Sequence, residues 1–316
     1  MSQSFVLHDP ASLPAQMQGA IVAIGNFDGV HRGHAAVIAR AKTLAHTQGR
    51  PCLVLTFEPH PADFFSATSH VFRLTPEAAK ARALAALGLD GMVVLRFDAA
   101  LAGLSAEEFV AEILVKKLAI GGAVVGYDFH FGRARGGSPQ FLREAGARHG
   151  FAVEIVEKIT ADADGPIEAV SSTATRKALE AGDVKLAAHL LGHPFFALGT
   201  VIKGEQIGRT LDMPTANMKM DPSSRLRHGI YAVKVRVGEA TYNGVASYGR
   251  RPTFDNGAPL LESFLFDFSG DLYGQEIEVD FIDWLRPELK FDSIEALKAQ
   301  MQDDARLAKA RLAGAA

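Results

Sequence analysis

The stretch from Ala20 to His34 constrains this chain more than any other. Five apolar residues, Ala20 to Ile24, stop at Gly25, and turn-forming Asn26, Asp28 and Gly29 follow. That pattern predicts a buried strand ended by a turn. Beyond Gly33, the residues Val37, Ile38, Ala41, Leu44 and Ala45 recur at the spacing of one helical face. A strand therefore hands over to a glycine-rich loop and then to a helix. A helix N-terminus presents N–H groups and the positive end of a dipole, a combination that binds phosphate, and glycine lets the ligand approach the backbone. His31 and His34 stand three apart at this junction, so a helix beginning near them turns both the same way. Two imidazoles can then donate to one anion; the simpler alternative is that they cap the helix.

The 316 residues are too many for one ordinary core and suit two domains of ~150 residues each. A content of 48% hydrophobic and 22% charged residues is that of a soluble globular protein and excludes a disordered or collagen-like chain. Net charge is −3, so no global basic field draws the molecule to nucleic acid or to an anionic membrane. Anionic substrates must be held by local groups. Cys52, the single cysteine, lies in an apolar run; it reads as a core residue and fits a reducing cytoplasm. The first residues show no basic region followed by a long apolar one, which argues against a signal peptide. No run approaches the ~20 apolar residues that span a bilayer, and the stretch from Ile113 to Val125 is broken by Lys116 and Lys117.

Further strands are predicted at Cys52 to Phe57, Met92 to Phe97 and Ala123 to Gly126. Between them lie helix starts: Thr75-Pro76-Glu77, Ser105 with Glu108 as a capping box, and Ser138-Pro139. Apolar strands alternating with amphipathic helices imply a parallel sheet covered on both faces, with ligands beyond the strands' carboxyl ends. Those ends carry the unusual residues. The second strand runs into Glu58-Pro59-His60-Pro61, where His60 reads equally as a ligand or as a stiffener between prolines. The fourth runs into Gly126-Tyr127-Asp128-Phe129-His130-Phe131-Gly132-Arg133.

The string from Gly25 to His34 resembles the form that the H-x-G-H signature of adenylyltransferases takes in bacterial FAD synthetases. The loops after Thr56 and Val125 are similar to the same family. The resemblance implies that His31 and His34 contact ATP phosphates, with Gly25, Asn26, Phe27, Asp28 and Gly33 around the nucleotide. It implies that Asp128 and Arg133 lie at the flavin phosphate or the nucleotide, and that His60, as a ligand, lies at the flavin side. The run Val170 to Arg176 looks like the family's S-S-T-x-x-R element, in which Ser171, Ser172, Thr173 and Arg176 embrace the β and γ phosphates. An Arg fork suits departing pyrophosphate because it binds two oxygens at once. From the residues alone, these hydroxyls read equally as N-caps of a helix from Arg176 to Ala181. The chain departs from the family at His130, where a basic Arg or Lys is expected, and at Ser138, where an acid or Asn is commoner.

A short helix from Asp183 to Leu191 ends at Gly192, and His193-Pro194 breaks the chain; the domain boundary is expected there, giving 1–192 and 193–316. Beyond it Phe195 to Ile202, Tyr231 to Val237, Thr241 to Ser247, Leu261 to Phe268 and Ile277 to Ile282 alternate with period two. Several strands with few helices suggest a small antiparallel barrel, and a last helix capped by Asp292 or Ser293 runs to about Leu312. The run from Gly199 to Asn217 resembles riboflavin kinase. The resemblance implies an ATP loop with Gly204, Gly208, Arg209 and Pro214, and Mg²⁺ ligands at Thr215 and Asn217, whose neutral hard oxygens suit that ion. The alternative is a plain turn with Asn217 bonded to its own backbone. Glu262 matches the family's general base. In its apolar run an unpaired carboxylate would be costly unless a site used it. Asp212-Met213 and Ser247-Tyr248 stand where Gly-Phe and Asn-Ile are usual.

The resemblance thus implies a bifunctional riboflavin kinase and FMN adenylyltransferase, with ATP, riboflavin and FMN as substrates, Mg²⁺ as cofactor, no nucleic-acid or membrane partner, and homo-oligomerisation left open. The rival readings are a monofunctional enzyme with one degenerate half and a flavin-binding regulator without turnover.

Overall fold

A computed structural model of the protein describes residues 5–66, 71–158, 170–204, 213–250 and 259–314. The chain divides into two compact units, residues 1–71 with 77–171 and residues 72–76 with 172–316.

The first unit is built on six parallel strands, β1 (Val6–His8), β2 (Ile21–Ile24), β3 (Cys52–Glu58), β4 (Gly91–Arg96), β5 (Gly122–Gly126) and β6 (Ala152–Val156), in the order β1-β4-β3-β2-β5-β6. Successive side chains go to opposite faces. Val22, Ile24, Leu53, Leu55, Val93, Leu95, Ala123 and Val125 enter one core, and Ile21, Ala23, Cys52, Val54, Met92, Val94 and Val124 enter the other. The Arg32–Gln48 helix covers the second core with Val37, Ile38, Ala41 and Ala45, and the Pro139–His149 helix covers the first with Leu142 and Ala145. Burial pushes the Cys52 thiol up to about 12, so it is packing and not a nucleophile. The predicted capping box at Ser105 and Glu108 forms, and Ser138 caps its helix by accepting from Phe141 N–H. The edge strands β1 and β6 have no counterpart in the sequence prediction. Both are short and carry few buried residues, so they lack the long apolar run that marks β2 to β5.

The second unit is a closed barrel of β7 (Phe195–Ile202), β8 (Ala216–Lys219), β9 (Gly229–Val237), β10 (Ala240–Arg250), β11 (Pro259–Leu265) and β12 (Glu276–Arg286), in the order β10-β11-β8-β7-β12-β9 with antiparallel neighbours. One face of each strand fills the interior, through Met218, Tyr231, Val233, Val235, Tyr248, Leu261, Ile277, Val279 and Phe281. The Ile294–Ala313 helix, capped by Ser293, lies on outer residues Ile230, Ala232, Val245 and Phe266 with its Ala308 and Leu312. The Arg286 guanidinium fastens it, with Nε 2.7 Å from Asp304 Oδ1 and Nη2 2.5 Å from Oδ2.

The boundary by compactness falls earlier than 192/193. The Ser172–Ala181 and Val184–Leu191 helices belong to the second unit, because Ala178, Leu179, Val184, Ala187 and Leu191 share its apolar cluster with Phe72 and Leu74. No helix among the described residues is long and apolar enough to cross a membrane.

On the outer face of β12, Glu278 and Asp280 lie opposite Arg236 and Lys234 of β9. Burial, and next the Glu278 carboxylate, push the Asp280 carboxyl up to about 6, against the opposing pull of Arg236 and Lys234. A carboxyl raised on folding adds stability below its unfolded value, and that contribution is lost as pH rises through the folded one. Asp280→Asn is therefore expected to raise the melting temperature at about pH 8 and to leave it nearly unchanged at about pH 4, read by thermal denaturation at both.

Candidate functional site

In the first unit the sheet order decides where a ligand can sit. From β2 the chain steps to β3 on one side, and β5 occupies the other, so the strand order reverses next to β2. In open α/β sheets ligands bind outside the carboxyl ends at such a point. The turn after β2, Glu58 at the end of β3 and the loop after Gly126 all leave the sheet at that edge.

The turn is held in an unusual backbone shape. Phe27, Gly29 and Val30 all have positive φ, at 49°, 85° and 44°. His31 is the N-cap of the Arg32–Gln48 helix, and its Nδ1 accepts from His34 N–H at 3.2 Å. An imidazole whose Nδ1 accepts carries its proton on Nε2, so His31 keeps one ring donor. The two imidazoles stack with centroids 3.6 Å apart and planes 15° apart, and Phe27 lies 5.1 Å from His34. A side chain at Gly33 would bring Cβ to 3.1 Å from the His31 ring, which accounts for the glycine between the histidines. Burial holds His34 well below the ordinary histidine range, assisted by His31 and then Lys80, so it is neutral at neutral pH. Its Nδ1 is buried with no hydrogen-bond partner. His31 thus caps the helix, and its Nε2 remains as a ring donor. Asp28 is buried beside them in the same turn.

Lys80 is a residue the sequence reading missed. It is 1% exposed, and its Nζ lies 2.9 Å from Glu58 Oε1 and 3.3 Å from Thr56 Oγ1, which donates to the Asn26 carbonyl at 3.1 Å. A signal was present: Lys80 and Leu84 share the buried face of the Glu77–Ala86 helix, where a lysine has no ordinary place.

Elsewhere on this rim, His60 Nδ1 accepts from Ala62 N–H and caps the short Pro61–Phe64 helix. Asp128 and Arg133 are exposed in the loop after β5. That loop is closed on itself by paired Phe131 and Gly137 backbones. His130 Nδ1 bonds to the Asp128 carbonyl at 2.8 Å.

Arg176 belongs to the second unit, where its Nε donates to the Phe72 carbonyl at 2.7 Å. The helix starts four residues before the predicted Arg176. Ser172 and Thr173 form its first turn and Thr175 is fully buried, because the apolar face on Ala178 and Leu179 extends back to that position. Ser171 immediately precedes it.

In the barrel, cross-strand register brings remote residues together. Glu262 of β11 pairs with Asn217 of β8 on one side and with Ser247 of β10 on the other, so the three share one face. That face is the outer one, since Met218, Tyr248 and Leu261 point inward. The cost argument for Glu262 is corrected accordingly: alternation places it outside the apolar interior, where it is only partly buried. Asn217 is 4% exposed, and its Nδ2 donates to the Thr215 carbonyl at 3.3 Å, the bond of a local turn. Its Oδ1 is nevertheless buried without a partner. Gly204 closes over this amide, and a Cβ there would lie 2.5 Å from Nδ2. An orphaned neutral oxygen next to half-buried Thr215 fits a hard cation that completes its shell with phosphate and water. Glu288 presses on the backbone of Gly249; burial raises its carboxyl, and the Glu262 charge raises it further while His228 opposes. Pro214 is exposed at the start of this segment, whereas Gly208, Arg209 and Asp212 lie outside the described residues.

Residues 13–174 match the family model described as FAD synthetase, and residues 191–312 match the one described as riboflavin kinase. A bifunctional riboflavin kinase/FMN adenylyltransferase of Haemophilus influenzae is 40% identical over 296 residues, covering 93% of this chain and 94% of that one. One of Pseudomonas fluorescens is 42% identical over 306 residues, covering 96% and 97%. The chain belongs to the bifunctional riboflavin kinase/FMN adenylyltransferase family. It phosphorylates riboflavin with ATP to give FMN, and it adenylylates FMN with ATP to give FAD. A solved structure described as a macrolide-efflux protein from Streptococcus pneumoniae shares the fold, with a TM-score of 0.79 and 30% identity over 95% of this chain and 99% of that one.

In this bifunctional riboflavin kinase/FMN adenylyltransferase, the backbone of Gly204 lies against the Asn217 amide, with room for no side chain between them. Gly204→Ala must displace the Asn217 amide. A displacement near 1 Å at a reacting centre slows chemistry on the order of a hundredfold, and FMN formation is expected to fall by roughly ten- to a hundredfold. FAD formation from supplied FMN should persist; flavin chromatography of both reactions reads the difference.

Proposed function

We propose that the two reactions use separate residue sets, one carried by the FAD synthetase motifs and the other by the riboflavin kinase motifs. For riboflavin phosphorylation, Glu262 accepts the proton of the riboflavin 5′-hydroxyl as that oxygen attacks the γ-phosphorus of ATP. The bond from γ-phosphorus to the bridging oxygen breaks, and ADP leaves with that oxygen. Gly204, Gly208, Arg209 and Pro214 form the ATP loop. Thr215 and Asn217 would hold Mg²⁺, which supplies charge neutralisation on the nucleotide phosphates. The observation that carries this reading is the direct pairing of Glu262 with Asn217, whose Oδ1 is buried and unpartnered. Ser247 beside Glu262 supplies a hydroxyl to the same face, where the family's asparagine would supply an amide.

For adenylylation, an FMN phosphate oxygen attacks the α-phosphorus of ATP and pyrophosphate departs. The nucleophile is already anionic, so no base is needed. His31 and His34 donate to the phosphates as charge builds, and fixed donors at a helix N-terminus stabilise such charge without reorganising. A neutral His34 offers one ring N–H as donor and carries no charge of its own. Gly25, Asn26, Phe27, Asp28 and Gly33 shape the nucleotide turn; the family's S-S-T-x-x-R string assigns the departing pyrophosphate to Ser171, Ser172, Thr173 and Arg176. Asp128, Arg133 and His60 line the flavin side. With one buried, inert cysteine, the enzyme is read as cytoplasmic.

His31→Ala is expected to abolish FAD formation while FMN formation persists, and Glu262→Ala to do the reverse, each by at least about a hundredfold. Incubation with riboflavin or with FMN, followed by separation of flavins over time, checks both; equal loss of the two activities in either variant sinks the assignment.

A further inference from the structure

Lys80 is a cation on the buried face of a helix, and its surroundings say more than packing requires. Its ammonium meets Glu58 Oε1 at 2.9 Å and Thr56 Oγ1 at 3.3 Å with only 1% of the residue exposed. Buried ion pairs are often replaceable by apolar residues without loss of stability, so stability alone is a weak reason for this one. The partners point to another. Glu58 is the last residue of β3, at the carboxyl edge of the sheet. The Thr56 hydroxyl, accepting from Lys80, donates in turn to the carbonyl of Asn26 at 3.1 Å. Asn26 opens the turn in which Phe27, Gly29 and Val30 adopt positive φ, and that turn delivers His31 and His34. Two non-glycine residues there, Phe27 and Val30, hold a left-handed conformation that persists only when surroundings over-determine it.

We propose that Lys80 is a positioning residue for adenylyl transfer, fastening the histidine turn to the end of β3 through Thr56 and Glu58. The chain of contacts runs Lys80 to Thr56 to the Asn26 carbonyl, with Glu58 fixing the ammonium from the other side. The inference rests on the reading of His31 and His34 as the ATP-phosphate donors. Lys80 itself touches neither substrate nor reacting atoms in this account; it acts by keeping the turn in the one shape that stacks the two imidazoles.

The test uses the full-length enzyme as Lys80→Met, Thr56→Val and the double variant. The expected result is a fall in kcat for FAD formation from FMN on the order of ten- to a hundredfold in each single variant, with KM for ATP within about threefold. FMN formation by the same preparations, which relies on the other unit, should be retained. The double variant should be no slower than Lys80→Met, because both substitutions cut one link. A residue that only supports the fold would lower the melting temperature and leave no such non-additivity in kcat. Wild-type kcat in Thr56→Val, or losses that multiply in the double variant, overturns the proposal. Should Lys80→Met fail to fold, Thr56→Val decides alone by its kcat. His31→Ala in the same assay separates the two levels: FAD formation surviving there defeats the histidine reading itself. Loss in His31→Ala with an unchanged Lys80→Met defeats only the role of Lys80.

Discussion

The backbone ladder that bonds β2 to β3 on one side and to β5 on the other is the constraint on which the adenylyltransferase half depends. Because the strands are parallel, three loops far apart in the chain must leave the sheet along one edge. Their spacing is then set by the separation of neighbouring strands, about 5 Å. The turn with the histidines emerges from the central member of the three. The features of the proposed phosphate site are local elaborations of that placement: positive-φ residues, a glycine beside the His31 ring, and a helix N-terminus.

The barrel reaches a similar end by a different pairing. Antiparallel register sets Asn217, Glu262 and Ser247 side by side on three strands, and alternation sends them outward while Met218, Leu261 and Tyr248 fill the interior. One residue of slip in any of these strands would exchange the two rows, so the packing of the barrel interior and the assembly of the Asn217–Glu262–Ser247 face are a single requirement. Tyr248, one of the departures from the family pattern, sits on the inward row, where its hydroxyl reaches Ser224 at 2.9 Å; its consequence is therefore packing within the barrel. Ser247, its neighbour, is on the outward row with Glu262 and Asn217.

Both halves keep polar groups buried beside their motifs. In one, Lys80, Thr56 and Glu58 satisfy each other; in the other, the Asn217 oxygen is left unpaired. A satisfied buried network stiffens a site, and an unsatisfied atom leaves it ready to bind. The Arg286–Asp304 pair shows a third use: a charged pair within the part that matches the riboflavin kinase family anchors the last helix.

The sequence by itself determined the central strands β2 to β5, the long helices with their caps, and the existence of an α/β half followed by a barrel, because those features are written in runs and alternations of a few neighbouring residues. The motifs at His31 to His34, Thr215 to Asn217 and Glu262 were equally legible, since each is a local string. Edge strands β1 and β6 and the short β8 were not, because their few residues form only beside a neighbour already in place. The start of the helix at Ser172, the outward direction of Glu262, and the burial of Lys80 against Thr56 and Glu58 were decided by tertiary structure. Each depends on which residues face a given position from elsewhere in the chain, and register and packing alone settle that.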